Sequence, residues 1–200
     1  LVAWSIGTSP QLVGALFSNS IISLIVMFAP LGFVFFLSAR VMKMSYSAGQ
    51  LSFWLFSALM GLSLSTIFVV YTGASIANAF FTTAIAFGAM SLFGYTTKKD
   101  LSGMGRFLFM GVIGLIVAMI INWFTQSPGL EFAINVLGVL IFAGLTAYDT
   151  QNIKNTYLSI RNAPNGEEIA AKAGILGALS LYINFLNMFM FLLQFMGNRE

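Results

Sequence analysis

Charged residues are scarce in this sequence, at 8% of its 200 positions, while 58% are hydrophobic and the mean hydropathy is +0.91. Soluble domains carry about 25% charged residues. A chain this poor in charge cannot cover a surface that faces water, which excludes a soluble globular domain and makes the lipid bilayer its solvent. Backbone groups in lipid must pair internally, so only helices or closed barrels remain. The apolar runs are about 20 residues long, as in helices, rather than alternating ten-residue strands.

Cysteine and histidine are both absent from these 200 residues. Their absence excludes disulfides, Cys- or His-based metal sites, thiol nucleophiles and Ser–His catalytic pairs. Intramembrane aspartyl proteolysis needs two carboxylates, and the apolar segments contain one. We therefore expect a protein that is not an enzyme and has no cofactor. The net charge of +3 is too small to indicate nucleic-acid binding.

The apolar segments predict an all-α, polytopic membrane protein that forms a single helical-bundle domain over residues 1–200. Because the chain starts at Leu1, inside an apolar stretch and without Met, we expect a first helix that is truncated here. A polar stretch at 153–172 is expected to connect the last two segments. The predicted helices are 1–6, 20–39, 51–72, 74–96, 106–124, 132–152 and 173–196.

Basic residues lie in alternate connections, which predicts the orientation. Eight of the nine follow the second, fourth or sixth segment, and the intervening connections contain none. The positive-inside rule assigns these loops to the cytoplasm. The eight residues are Arg40, Lys43, Lys98, Lys99, Arg106, Lys154, Arg161 and Lys172.

Asp149 is the only one of the six acidic residues that lies inside a long apolar segment. An ionisable group in a membrane helix costs roughly 2.5–3.5 kcal/mol on insertion scales and usually faces the bundle interior or a watery path. Its place near the predicted cytoplasmic end of the sixth helix allows two interpretations. Either the carboxylate reaches the cytoplasm or pairs with Lys154, or it is a buried titratable group that controls a gate.

The last segment carries a stripe of polar side chains. Asn184 and Asn187 are three residues apart on one helix face, with Ser180 one turn earlier and Tyr182 nearby. Amides without partners are costly in hydrocarbon, so this stripe must face protein or water. It serves either as a set of interhelical hydrogen bonds or as the lining of a polar path.

Three motifs resemble the transmembrane Bax-inhibitor-motif family, in its bacterial form: TKKDLS at 97–102, AYDTQNIK at 147–154 and ALSLYINFLNMF at 178–189. The resemblance extends over residues 20–197, in matching order and spacing. It implies a seven-helix fold with a central last helix, in the bacterial inner membrane. It also implies a pH-sensitive calcium leak gated by two aspartates, of which Asp149 matches the first.

Asn184 departs from this family pattern, because it stands where the family has the second aspartate. Two close carboxylates titrate as a coupled pair. An amide instead donates a hydrogen bond to an ionised Asp149 and favours its charged form. We therefore expect the pH sensitivity to be weakened here, while the ion path at Asp149 and Asn184 remains.

The family resemblance also implies an arginine that latches onto the first aspartate. Arg40 and Lys43 are the candidates, and Arg40 is preferred because its planar fork suits a carboxylate. The alternative role of both residues is to anchor the cytoplasmic side of the helix.

Two functions follow as expectations. The first is a passive cation leak, with Ca²⁺ as the transported ion and Asp149 as a weak, transient metal ligand, supported by Ser180, Tyr182 and Asn187. A single carboxylate with amide and carbonyl oxygens binds a hard cation weakly, as conduction requires. The alternative is a regulator that binds a membrane-embedded protease or a stress-response partner.

Overall fold

A computed structural model describes residues 2–198, and its architecture is a bundle of helices joined by short turns. A 3₁₀ turn follows the third helix at Val41–Lys43, and another lies at Leu64–Thr66. The helices are α1 (Val2–Gly7), α2 (Pro10–Phe17), α3 (Ser20–Arg40), α4 (Tyr46–Ser63), α5 (Ile67–Val70), α6 (Gly73–Thr96), α7 (Ser102–Thr125), α8 (Pro128–Ile160) and α9 (Gly166–Met196).

Short polar side chains start four of the long helices, as the sequence favours. The side chains of Asn19, Ser45, Thr72 and Ser127 each accept a hydrogen bond from a backbone N–H in the first turn of the following helix. These caps satisfy donors that have no partner inside the helix. The caps fix where each helix begins.

Six stretches within residues 2–198 are long and apolar enough to cross a membrane: α3, α4 with α5, and α6 to α9. Many of their large apolar side chains point outward, with Trp123 79% exposed and Phe107 74% exposed. An outward apolar surface on every long helix suits lipid as the surrounding solvent. The predicted all-α, polytopic membrane fold is therefore confirmed.

Helices α8 and α9 form the centre of the bundle together. In their most apolar stretches 39% of the residues are buried, against 11–17% in the other long helices. They run antiparallel, since Gly138 of α8 meets Phe191 of α9 and Ile153 meets Gly177. The last helix is central as expected, but it shares that position with α8.

Glycine allows α6 and α8 to approach closely just before Asp149. A β-carbon at Gly94 of α6 would overlap the carbonyl group of Ala147 of α8. In lipid, helix association depends on such small residues, because burial of apolar surface gives little driving force there. The contact holds the segment of α8 that carries Asp149 against α6.

Several predicted helix boundaries are wrong. The polar stretch 153–172 is mostly helical, because α8 continues to Ile160 and α9 starts at Gly166; only the turn with Asn165 in a left-handed conformation separates them. Polarity marked the end of the apolar stretch but not the end of the helix. The segment 51–72 starts earlier, at Tyr46, and is interrupted by the second 3₁₀ turn. Helix α2 was not predicted.

Candidate functional site

Asp149 forms a hydrogen bond with Asn184, the residue that the sequence predicts as its partner. Its Oδ2 accepts a hydrogen bond of 2.7 Å from Asn184 Nδ2, across the interface of α8 and α9. Asn184 is buried, with 5% of its surface exposed, and Asp149 is half-buried. The contact expected between these two side chains is therefore present.

Because α8 is longer than predicted, Asp149 lies farther from the end of its helix than the sequence suggests. The sequence placed this carboxylate near the end of a helix, yet α8 continues for eleven residues beyond it, to Ile160. At 1.5 Å per residue that is about 16 Å of further helix. Asp149 lies well inside α8 rather than at its end.

A first cavity, the apolar cavity, lies on one side of the Asp149–Asn184 contact, between α7, α8 and α9. Its volume is about 370 Å³. Its polar lining groups are those of the two contact residues and of Ser180 and Asn187. The remaining lining residues are Phe109, Val112, Leu115, Ile116, Met119, Phe142, Leu145, Ile183 and Phe191.

A second cavity, the basic cavity, lies between the end of α8 and the start of α9 and has a volume of about 710 Å³. Asp149 and Ser180 line both cavities, so these two side chains lie at the junction between them. The other residues that line the basic cavity are Tyr95, Thr150, Asn152, Ile153, Lys154, Thr156, Tyr157, Leu158, Arg161, Ala170, Ala173, Gly174, Leu176, Gly177 and Leu181.

The polar stripe of α9 reaches this junction only in part. Asn187 lines the apolar cavity and donates a hydrogen bond of 2.9 Å to the carbonyl oxygen of Ile183. Tyr182 points elsewhere, and its ring packs edge-on against Phe53 and Phe56 of α4. The structure does not bring Tyr182 to Asp149, because position 182 lies on the opposite side of α9, towards α4.

No basic side chain in residues 2–198 forms an ion pair with Asp149. Arg40 and Lys43 are exposed at the end of α3 and in the turn after it, so the latch is not formed in this structure. Lys154 donates instead to the carbonyl oxygen of Tyr95 at 2.6 Å, and its ammonium lies 5.3 Å from the centre of that ring. Pairing of Asp149 with Lys154 is thus wrong for this structure.

The residues around Asp149 do not form a multi-carboxylate cage. In the described part of the chain, no group of three or more Asp, Glu, His or Cys residues could hold a metal ion. A hard cation at Asp149 would meet one carboxylate and neutral oxygens. Amide and hydroxyl oxygens are available from Asn184 and Ser180, which line the same cavity.

Gln151 was not predicted as part of the site, although it follows Asp149 by two residues. Its amide oxygen accepts from the backbone N–H of Leu101 at 2.8 Å, and its amide nitrogen donates to the carbonyl oxygen of Lys99 at 2.7 Å. This buried side chain ties the α6–α7 loop to α8. A long-range hydrogen bond between a side chain and a loop backbone leaves no periodic signal in sequence.

Asn135, about a quarter of the way along α8, is a second unpredicted polar residue. It is 3% exposed, and its Oδ1 has no hydrogen-bond partner within residues 2–198. Its place in an apolar segment was a usable signal, because an amide in hydrocarbon is costly without partners.

Known proteins resemble the chain over most or all of its length. The family described as "Inhibitor of apoptosis-promoting Bax1" matches residues 1–200. The inner membrane protein YbhL of Escherichia coli (strain K12) is 46% identical over 100% of this chain and 84% of its own length. A protein of Caulobacter vibrioides is 52% identical over 88% of this chain and 70% of its own. A membrane protein of Streptococcus pyogenes serotype M1 is 38% identical over 82% and 70%. With a family match over all 200 residues and these relatives, the chain belongs to the Bax inhibitor-1 family of membrane proteins.

Proposed function

We propose that this protein conducts cations passively across the bacterial inner membrane, with Ca²⁺ as the principal ion, through a path that passes Asp149. The observation that carries the proposal is the position of Asp149 where the apolar and basic cavities meet. A fixed negative charge at a constriction is a usual device for cation selection. The orientation that this proposal adopts places the basic cavity on the cytoplasmic side.

In this proposal, the path is closed when Asn184 donates its hydrogen bond to Asp149. With its Nδ2 on the carboxylate at 2.7 Å, Asn184 occupies an oxygen that a cation would need. An amide carries both donors and an acceptor. Rotation of the Asn184 side chain would turn its oxygen towards the path, so that Asn184 and Asp149 together face a passing cation.

Weak binding follows from the small number of charged ligands. Calcium sites that bind tightly surround the ion with six to eight oxygens, several from carboxylates. Asp149 contributes one carboxylate, and the remaining oxygens are neutral. A slow leak with weak affinity is therefore the expected behaviour, since conduction requires that the ion also leave.

Calcium flux into liposomes that contain the purified protein tests the proposal, with Asp149→Asn as the main variant. Asp100→Asn is the matched control, because Asp100 is an exposed loop carboxylate whose Oδ1 accepts from Ser102 N at 2.9 Å. Hydrogen bonds from the Ser102 side chain and backbone lower the pKa of Asp100, so the control also removes a charge at neutral pH.

The expected result is a loss of calcium flux of about 10-fold or more for Asp149→Asn, equal to at least about 1.4 kcal/mol at the barrier, with flux through Asp100→Asn close to wild type. Flux that survives Asp149→Asn unchanged would contradict the proposal. That outcome would favour the alternative role as a regulator of a membrane-embedded protease.

A further inference from the structure

The basic cavity has features that cation passage at Asp149 does not use. We propose that it is a binding site for an anionic phosphate group, with Lys154 and Arg161 as its cationic ligands. Both residues line the cavity, which at about 710 Å³ is nearly twice as large as the apolar cavity. Basic pockets between membrane helices recognise the phosphate groups of anionic lipids.

The cationic side chains of this cavity have unused donors. Neither Lys154 nor Arg161 has a carboxylate within ion-pair distance among residues 2–198, whereas Lys172 is paired with Glu168 at 2.8 Å. Lys154 uses one of its three N–H groups on Tyr95, and the guanidinium of Arg161 makes no hydrogen bond within the described chain. Two cations without counter-ions at one cavity therefore favour an anionic occupant.

Spacing along α8 directs both cations to the same side. Lys154, Tyr157 and Arg161 follow one another at i, i+3 and i+7, which places them along one helix face. The phenol of Tyr157 adds a hydroxyl donor to this row, and it lines the cavity too. An oxyanion with several acceptor oxygens matches such a row of donors.

The wall opposite this row leaves space for a ligand. A β-carbon added at Gly174 of α9 would meet no atom within 4 Å. At the rim, Tyr157 is 54% exposed and Leu158 is 48% exposed. Exposed apolar surface on Leu158 and on the Tyr157 ring, beside two cationic side chains, suits a phosphate that carries acyl chains, although a free phosphate has the same head chemistry.

Asp149 lines the same cavity, and it precedes Lys154 by five residues and Arg161 by twelve, which is about 7.5 Å and about 18 Å along a helix. Its repulsion of a bound anion is therefore weakest beside Arg161. A bound anion would also offset the repulsion that two bare cations exert on Ca²⁺ near the mouth of the path. This effect on flux rests on the proposed function, whereas the binding site does not.

Native mass spectrometry of the detergent-purified protein tests the site, with phosphatidylglycerol as the anionic probe and phosphatidylcholine as the zwitterionic one. The test variant is Lys154→Gln with Arg161→Gln. The matched control is Lys98→Gln with Lys99→Gln, which removes the same charge from an exposed loop outside the cavity.

We expect the wild type and the loop control to retain phosphatidylglycerol in preference to phosphatidylcholine, and the cavity variant to bind it about 10-fold more weakly. Equal weakening in both variants would overturn the site, because charge alone would then explain binding. No preference between the two lipids would overturn it as well.

Inorganic phosphate, added as a competitor, distinguishes the sources of the phosphate group. Displacement of the lipid at millimolar phosphate identifies a site that accepts free phosphate, and no displacement identifies a lipid site. Gly174→Leu provides a second variant with unchanged charge, in which added volume enters open space. It should weaken lipid binding while the protein keeps its thermal stability; unchanged binding would contradict the assignment.

Flux measurements separate the two proposals. Liposomes with and without phosphatidylglycerol, each containing wild type or the cavity variant, report whether occupancy affects conduction. Lipid binding that is lost in the cavity variant supports the site even if no variant conducts Ca²⁺. Calcium flux that depends on Asp149, without selective lipid binding, would contradict the phosphate site and leave the proposed function intact.

Discussion

The apolar and basic cavities share Asp149 and Ser180 but otherwise have opposite character. Around the first, nine apolar side chains leave Asp149 as the only formal charge, whereas the second adds Lys154 and Arg161. A cation in the apolar cavity would depend on one carboxylate, while in the basic cavity it would also meet repulsion. One carboxylate at the junction therefore attracts a cation on both sides, but only in the basic cavity is that attraction opposed by cationic side chains.

A large side chain at the junction between the two cavities should have the largest effect on flux. Ser180→Leu places a large apolar side chain where a small hydroxyl now lines both cavities. We expect calcium flux in liposomes to fall about 10-fold or more. Ala178→Leu is the control, since Ala178 is exposed on the same helix and lines neither cavity. Equal loss in both variants would show that bulk on α9, not blockage, is responsible.

A second carboxylate beside Asp149, at position 184 in the lining of the apolar cavity, should increase the difference in charge between the two cavities. In Asn184→Asp, the new carboxylate would lie at the distance where Asn184 now donates to Asp149, and two carboxylates that close share a proton. We expect flux in the variant to depend steeply on pH around neutrality, and flux in the wild type to depend on it weakly. Liposome flux between about pH 6 and pH 8 measures both. A steep dependence already in the wild type would place the pH response elsewhere.

Substitution of Gln151 should weaken the attachment of the α6–α7 loop to α8, a helix that lines both cavities. Gln151→Ala removes two hydrogen bonds that hold the α6–α7 loop to α8, and it leaves two backbone groups without partners. We expect a loss of roughly 1–3 kcal/mol in stability, seen as a lower midpoint of thermal unfolding in detergent. Asn152→Ala is the matched control, because Asn152 is exposed and its side chain makes no hydrogen bond within residues 2–198. A similar midpoint for both variants would show that the two hydrogen bonds of Gln151 contribute little to stability.

The smallest effect is expected for Tyr182→Phe, outside both cavities. The ring keeps its edge-on contacts with Phe53 and Phe56, and the lost hydroxyl forms no hydrogen bond in the described structure. Calcium flux should stay within about twofold of wild type, and stability within about 0.5 kcal/mol. A large loss of flux would show that the Tyr182 hydroxyl contributes to the ion path, which would then reach the side of α9 that faces α4.

The fold could be predicted where apolar length decided it. Runs of about 20 apolar residues marked the membrane helices, because hydrocarbon permits few other structures. The ends of α8 and α9 were missed because polar residues continue a helix as readily as they end it. Charges at Lys154 and Lys172 marked the end of the apolar stretch, while the helices extend past them to Ile160 and back to Gly166.

At the site, the cost of burial was the informative signal. Asp149 and Asn184 stood out because polar groups in hydrocarbon need partners, and they are partners of each other. The roles of Tyr182 and Gln151 depended on rotation about a helix axis and on contacts between residues about fifty positions apart. The orientation of Tyr182 follows from helical periodicity, because position 182 is two residues, or about 200°, away from both Ser180 and Asn184. The contacts of Gln151 with Lys99 and Leu101 are not encoded in a local pattern of one sequence.

Calcium flux through the exchanged pair, Asp149→Asn with Asn184→Asp, is the most direct test of the central claim. The double variant moves the single carboxylate from α8 to α9 while keeping one acid and one amide at the contact. If passage of the ion requires one carboxylate at this contact, on either helix, the exchange should restore most of the flux that Asp149→Asn alone loses. Flux that stays as low as in the single variant would contradict the account.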